Sequence, residues 1–228
     1  MRIAEIFYSI QGEGILTGVP SVFVRTSGCN LRCVWCDTPY TSWAPEGPEM
    51  TVEAITSEVA KYPAAAHVVI TGGEPMLFPT VVELAARLRA AGRQITIETA
   101  GTVYQPVACD LMSISPKLAN STPHEREGGR YAAQHERLRY QPDVLRRLIS
   151  EYPYQLKFVI AAPEDLPEVH HMIAEIGADR SRVLLMPEGI SADALHERGR
   201  WLAELCKREG FRYSARLHVD LWGDRRGV

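Results

Sequence analysis

The sequence predicts an α/β fold built on a parallel sheet. Three observations carry that expectation. Short apolar runs rich in Val and Ile alternate with amphipathic stretches of about a dozen residues, the rhythm of βα units. Several runs are apolar on both faces, as strands buried beneath helices are. Polar residues interrupt the pattern just after the strands, at the carboxyl ends where such sheets gather function. With 46% apolar and 23% charged residues in 228, the chain can bury a real core. No linker or internal repeat divides it, so one domain over residues 1–228 is expected.

Taken in order, Ile3 to Tyr8 reads as a strand, followed by the turn Ser9-Ile10-Gln11-Gly12-Glu13-Gly14. Its glycines let the backbone approach a ligand closely, or simply close a surface hairpin. Ser21 to Thr26 is a buried strand interrupted by Arg25, a cation that needs either a ligand carboxylate or a structural Asp or Glu as partner. Thr41 to Met50 is a loop. A helix capped by Thr51 or a neighbour runs to about Lys61, and His67 to Thr71 is a strand ending in Gly72-Gly73-Glu74-Pro75. Pro79 opens a helix to about Ala91, closed by Gly92. Gln94 to Thr99 and Asp110 to Ser115 are strands, the second ending in Pro116-Lys117. Asn120 to Tyr140 is polar and breaks the rhythm; it reads as an excursion and a candidate lid. Helix, strand, helix, strand and helix follow at Asp143–Glu151, Tyr154–Ile160, Glu164–Ile176, Arg182–Met186 and Ala192–Glu209. The tail Phe211 to Trp222 reads as extended, with Leu217 and Val219 on one side and His218 and Asp220 on the other.

The chemistry concentrates in Cys29-Asn30-Leu31-Arg32-Cys33-Val34-Trp35-Cys36-Asp37-Thr38. Three thiols spaced Cx3Cx2C on one loop can hold three corners of an iron–sulfur cube. Four cysteines are the usual complement, so three leave one iron open to a small molecule. The same spacing suits a zinc site completed by a histidine, or thiols that merely pack as small hydrophobes. Five cysteines, three of them crowded, suit a reducing cytoplasm and a metal site better than a disulfide framework. A net charge of −3 offers no basic surface for nucleic acid. Met1 to Ile6 is too short and acidic for a signal peptide, and no apolar run reaches membrane-spanning length.

The cysteine loop followed by a strand ending Gly-Gly-Glu-Pro resembles the radical S-adenosylmethionine superfamily. Within it, Ser9 to Gly14, Cys36-Asp37-Thr38, Thr71 to Pro75, Glu98-Thr99-x-Gly101-Thr102, Ser115-Pro116-Lys117 and Leu156 to Val159 occur in the order found in the 7-carboxy-7-deazaguanine synthases. The resemblance implies a modified, reduced partial (β/α)6 TIM-like barrel that pairs as a homodimer. It implies a [4Fe–4S] cluster held by Cys29, Cys33 and Cys36, with S-adenosylmethionine on the open iron. Trp35, Cys36, Asp37, Gly73, Glu74, Ser115, Pro116, Lys117, Gln155 and Lys157 would line that cofactor. Ile10, Gln11, Gly12, Glu13, Arg25 and Thr71 would line the substrate, with His218 either a substrate contact or a surface histidine. Glu13 and Arg25 would join the cysteines as the catalytic set. Thr38 would ligate Mg²⁺, an ion that prefers oxygen.

The implied activity converts 6-carboxy-5,6,7,8-tetrahydropterin to 7-carboxy-7-deazaguanine with loss of ammonia, for queuosine and other 7-deazapurines. Hydrogen would be abstracted by a radical made from S-adenosylmethionine with an electron from a donor such as flavodoxin or ferredoxin. Two features depart from the family pattern: Ala100 stands where asparagine is usual, and Cys109 and Cys206 match no motif. The rival readings are a glycyl-radical-enzyme activase or another radical enzyme, and, from a different class, a zinc-stabilised binding module.

Overall fold

The computed structural model describes residues 1–228. Eight strands form one sheet: β1 (Ile3–Ile10), β2 (Pro20–Thr26), β3 (His67–Gly72), β4 (Gln94–Thr99), β5 (Leu111–Ile114), β6 (Tyr154–Ile160), β7 (Val183–Pro187) and β8 (Arg212–Tyr213). They lie side by side in sequence order. A doubly wound sheet reverses its order midway, whereas an unbroken sequential order belongs to an opened barrel. The α/β fold is therefore the partial, TIM-like barrel. It is a reduced one: β4 passes to β5 without a helix, and β8 is two residues long.

The helices are α1 (Pro39–Ser42), α2 (Val52–Ala60), α3 (Val81–Ala90), α4 (Ala132–Arg139), α5 (Pro142–Glu151), α6 (Leu166–Ile176), α7 (Ala192–Glu209) and α8 (Leu217–Trp222). Of the candidate caps, Thr51 is the one that caps α2, its hydroxyl accepting from Ala54 N at 3.2 Å. No helix is long and apolar enough to cross a membrane.

Two local expectations are corrected. β1 runs antiparallel to β2, although every later pair is parallel. The stretch between Ile10 and Pro20 is too short for the crossover that a parallel pair needs. The tail is not extended throughout, because Leu217–Trp222 is helical. Alternating polarity over six residues does not separate a strand from one and a half helical turns.

Strand interiors are Val, Ile, Leu, Met and Phe, and Val68, Ile70, Ile95, Ile97, Met112, Phe158 and Leu185 are fully buried. Cys109 and Cys206 are buried in the same core. His67, in β3, is one of the buried polar residues among them. Its Nδ1 lies 2.7 Å from the Ser21 hydroxyl and its Nε2 2.8 Å from the Thr96 hydroxyl, so its polar atoms are satisfied while neutral.

Asn120 to Tyr140 lies along the outside of the cysteine loop. Trp35 Nε1 donates to the Asn120 carbonyl at 3.1 Å, and Val34 N to that of Ser121 at 2.8 Å. The buried His135 joins them, its Nδ1 accepting from Arg32 N and its Nε2 beside the Ser121 hydroxyl.

Two measurements follow. Phe158→Ala empties a fully buried ring site and should cost about 3–5 kcal/mol in chemical denaturation. Burial lowers the His67 pKa, so below about pH 6.5 the unfolded chain takes up a proton that the folded chain refuses. Stability should be full above that pH and fall as pH drops, and His67→Gln should flatten this part of the curve.

Candidate active site

One rung of the sheet is polar from edge to interior. β1 sets Glu5 opposite Arg25, and β2 sets Arg25 beside Thr71. The Thr71 hydroxyl donates to Glu98 Oε2 at 2.7 Å. Glu98 is paired in register with Ser113, and Ser113 with Gln155. Side chains alternate faces along a strand, so one register line brings six strands' polar residues to a single level, near the carboxyl ends of β2 to β5 and the amino ends of β1 and β6. Glu5 accepts from Arg25 Nε at 2.7 Å and from the Tyr40 hydroxyl at 2.8 Å. Gln11, in the turn after β1, donates to Glu98 Oε1 at 3.0 Å.

Above this rung the cysteine loop is fastened by backbone. Gly73 N donates to the Thr26 carbonyl, Glu74 N to that of Gly28, and Gly28 N to that of Thr41. A Cβ on Gly73 would overlap the Gly28 and Thr41 carbonyl oxygens, and one on Gly72 the Thr26 backbone. Gly72 also holds φ +131°, a conformation side chains disfavour. The two glycines are thus required by the close passage of two strand ends. Glu74 turns inward, fully buried, and accepts from Thr99 Oγ1, Ala100 N and Met76 N. The contact to residue 100 is through its backbone, so alanine serves there as well as asparagine.

The third feature is an ion cluster. Glu13 pairs with Lys157 of β6 and with Arg216 Nε, which is 3.0 Å away; Arg216 also pairs with Asp37. Burial pushes the Glu13 carboxyl up, but Lys157 and Arg216 outweigh it and hold the group far below the usual carboxylate range. Arg216 likewise holds Asp37 ionised against burial. His218 lies against Gly12, whose Cβ would overlap its ring, and burial lowers its pKa.

These features surround one cavity of about 520 Å³, large enough for a nucleoside-sized ligand and a second small molecule. Of the residues named from sequence, Ile10, Gln11, Gly12, Glu13, Arg25, Cys29, Cys33, Trp35, Cys36, Asp37, Thr38, Thr71, Gly73, Ser115, Lys117, Lys157 and His218 line it. Glu74, Pro116 and Gln155 do not. Glu74 is spent on the backbone of residues 76 and 100, and Pro116 is buried. Gln155 is covered by the turn after β1, accepting from Ile15 N at 2.9 Å and donating to Ser113 Oγ at 2.7 Å. Sequence reading missed Arg216, Glu5, Tyr40 and the terminal stretch Gly223 to Val228, all at the cavity wall. Arg216 carried no signal, being one arginine in a charged tail.

The donor set fits an iron–sulfur cluster with one open iron. Burial raises the Cys29 thiol to about 12 and the Cys33 thiol further. Bare thiols there stay neutral, and a cationic iron centre would convert them to thiolates. Lys117, whose Nζ bonds Ser115 O at 2.7 Å, faces the same point and favours the ionised form of both. Neither Cys109 nor Cys206 lines the cavity, leaving three thiols.

Gly73→Ala should push the cysteine loop off the end of β3. We expect iron bound after anaerobic reconstitution to fall severalfold while circular dichroism stays that of a folded chain.

The radical SAM superfamily pattern matches residues 23–120. A 7-carboxy-7-deazaguanine synthase of Halobacterium salinarum is 48% identical over 98% of this chain and 91% of its own length. That of Rhodopirellula baltica is 45% identical over 100% and 89%. The crystal structure of QueE from Escherichia coli superposes with a TM-score of 0.71 at 26% identity, covering 95% of this chain and 94% of the other. A thiol-rich loop, a cavity at the carboxyl ends of a sequentially ordered sheet and full-length similarity agree: the chain belongs to the 7-carboxy-7-deazaguanine synthase family of radical S-adenosylmethionine enzymes.

Proposed function

We propose that the chain converts 6-carboxy-5,6,7,8-tetrahydropterin to 7-carboxy-7-deazaguanine with loss of ammonia, a carbon–nitrogen lyase reaction feeding queuosine and related 7-deazapurines. The observation that carries this reading is the cavity itself, which sets a guanidinium, a held carboxylate and three thiols around one space. When bound, the [4Fe–4S] cluster and S-adenosylmethionine supply a hydrogen-abstracting radical; the protein binds, orients and excludes water.

Arg25 is the partner for the substrate carboxylate. Its Nε is occupied by Glu5, which leaves its terminal nitrogens for a bidentate contact. Glu13 stays ionised at any neutral pH because Lys157 and Arg216 flank it. It therefore accepts hydrogen bonds from a pterin amino or ring N–H and does not donate a proton. Two carboxylate oxygens accept about four hydrogen bonds, so its ion pairs leave capacity. His218, kept neutral by burial, offers a ring nitrogen at the same wall. Thr38, whose hydroxyl faces the cavity beside Cys36, would hold Mg²⁺, an ion that prefers oxygen ligands and would help neutralise an anionic substrate. An external one-electron carrier of the flavodoxin or ferredoxin kind supplies the electron. Free thiols and an oxygen-sensitive centre suit the cytoplasm, and we take the working form as a homodimer.

The anaerobically reconstituted protein, given reductant, S-adenosylmethionine, Mg²⁺ and the pterin, should release a product lighter by one ammonia in mass spectrometry. Reductive cleavage of the cofactor with the pterin untouched would sink the substrate assignment. Cys33→Ala should abolish turnover together with iron binding. Arg25→Gln should raise KM tenfold to a hundredfold, about the worth of one charge-assisted hydrogen bond, with iron content unchanged.

A further inference from the structure

Asn120 opens the polar stretch that breaks the βα rhythm, and its amide joins two walls of the cavity. It sits in the short 3₁₀ turn Ala119–Ser121, a few residues after β5. Its backbone carbonyl and its Oδ1 both accept from Trp35 Nε1, at 3.1 Å and 3.2 Å. Its Nδ2 donates to the Val159 carbonyl at 3.1 Å and to Asp165 Oδ2 at 2.8 Å. Trp35 separates Cys33 from Cys36, and Val159 is near the carboxyl end of β6. One residue therefore ties the cysteine loop to a strand well removed from it in the sheet. Trp35 and Val159 line the cavity, as does Met186, the register partner of Val159 in β7. Asn120 and Asp165 stand behind that wall.

The amide has one orientation. Reversed, it would turn its NH₂ toward the indole N–H and its oxygen toward a carbonyl and a carboxylate, three mismatches in place of three bonds. The segment that carries it is fixed as well. Ala119 N donates to Glu168 Oε2 at 2.8 Å, and Glu168 Oε1 accepts from Arg139 at 2.7 Å. Arg139 also donates to the Lys117 carbonyl at 3.0 Å. Asp165 holds the turn after β6, accepting from Ala161 N at 2.8 Å and Ala162 N at 3.1 Å. Nε1–H is the only donor an indole has. Aimed at a fixed acceptor, it selects one plane for a ring that is otherwise half-exposed.

We propose that Asn120 is a positioning residue for S-adenosylmethionine, holding the Trp35 ring fixed relative to β6 on the wall that takes the nucleoside. The proposal rests on the reading of Trp35 as part of the cofactor wall. Asn120 touches no reacting atom and acts through Trp35. An indole free to turn about its two side-chain torsions has to be ordered again when a ligand arrives, and that ordering opposes binding. The effect therefore falls on cofactor affinity. Arg25 and Glu13, which take the pterin, are held by separate contacts to Glu5, Lys157 and Arg216, so pterin binding is left alone.

The test reads the ring and the cofactor separately. In the metal-free chain, Trp35 emission is the difference between the unaltered protein and Trp35→Phe. Asn120→Ala keeps the backbone acceptor but unties it from Val159 and Asp165, so that emission should move to longer wavelength as the loosened ring meets water. In the cluster-loaded protein, equilibrium binding of S-adenosylmethionine should weaken about tenfold in Asn120→Ala, the scale of one hydrogen bond. Iron content should be unchanged, and KM for the pterin should hold within about twofold. Made in Trp35→Phe, which has no donor for Asn120, the same substitution should change the affinity by less than about twofold. Asp165→Asn, whose side chain bonds no residue of the cysteine loop, keeps an acceptor without the charge and should cost about threefold; it decides the matter if Asn120→Ala loads no iron. An unshifted Trp35 emission or an unchanged affinity overturns the proposal. So does an equal loss with and without the indole N–H, or a loss that falls on the pterin instead. An unaltered chain that loads no iron, or loads it and leaves S-adenosylmethionine unbound, removes the cofactor reading and this role with it.

Discussion

The sheet does not close on itself, and the ion cluster around Glu13 does the closing. β1 and β8 are the two edges, so the turn after the first strand and the segment after the last must meet through side chains. Glu13 reaches Lys157 in β6 and Arg216 beyond β8, and Arg216 goes on to Asp37 in the cysteine loop. Leu217 N donates to the Gly12 carbonyl and Gly14 N to the Ser214 hydroxyl. Removing one partner of such a buried set leaves an uncompensated charge, a loss of about 3–5 kcal/mol. The same four groups line the cavity, so closing the barrel and shaping the site are one structural act.

The second constraint is the polar rung. A register line carrying Glu5, Arg25, Thr71, Glu98, Ser113 and Gln155 across six strands would be costly if any member lacked a partner. Each has one, and the bonds run between neighbours on adjacent strands or to the turn after β1. The site is therefore held on rigid strands and needs no loop closure to be assembled. Gln155 shows how such a rung differs from a ligand-binding row. It sits in register with the cavity residues, but the turn at Gly14 and Ile15 covers it.

The cysteine loop is fixed from both sides. On the inside, backbone bonds at Gly28, Gly73 and Glu74 tie it to the end of β3. On the outside, Asn120, Ser121 and His135 bond Trp35, Val34 and Arg32. Immobile ligands suit a cluster that must accept an electron, because less rearrangement accompanies each change of charge.

What the sequence determined alone was local and chemical. The alternation of apolar runs with amphipathic stretches specified the strands and helices. Thr51 capped its helix as its type predicts. The order of Cx3Cx2C, Gly-Gly-Glu-Pro and the later short motifs specified the family, because thiols and close-packed glycines have few substitutes. Tertiary structure decided everything that depended on pairing at a distance. It made β1 antiparallel, bent Leu217–Trp222 into a helix, withdrew Glu74, Pro116 and Gln155 from the cavity wall and brought Arg216 and Glu5 to it. The physical reason is the same in each case: propensity and spacing act over a few residues. The partner of a buried charge, such as Glu13 for Arg216, lies 203 positions away and is chosen only when the sheet sets the two side by side.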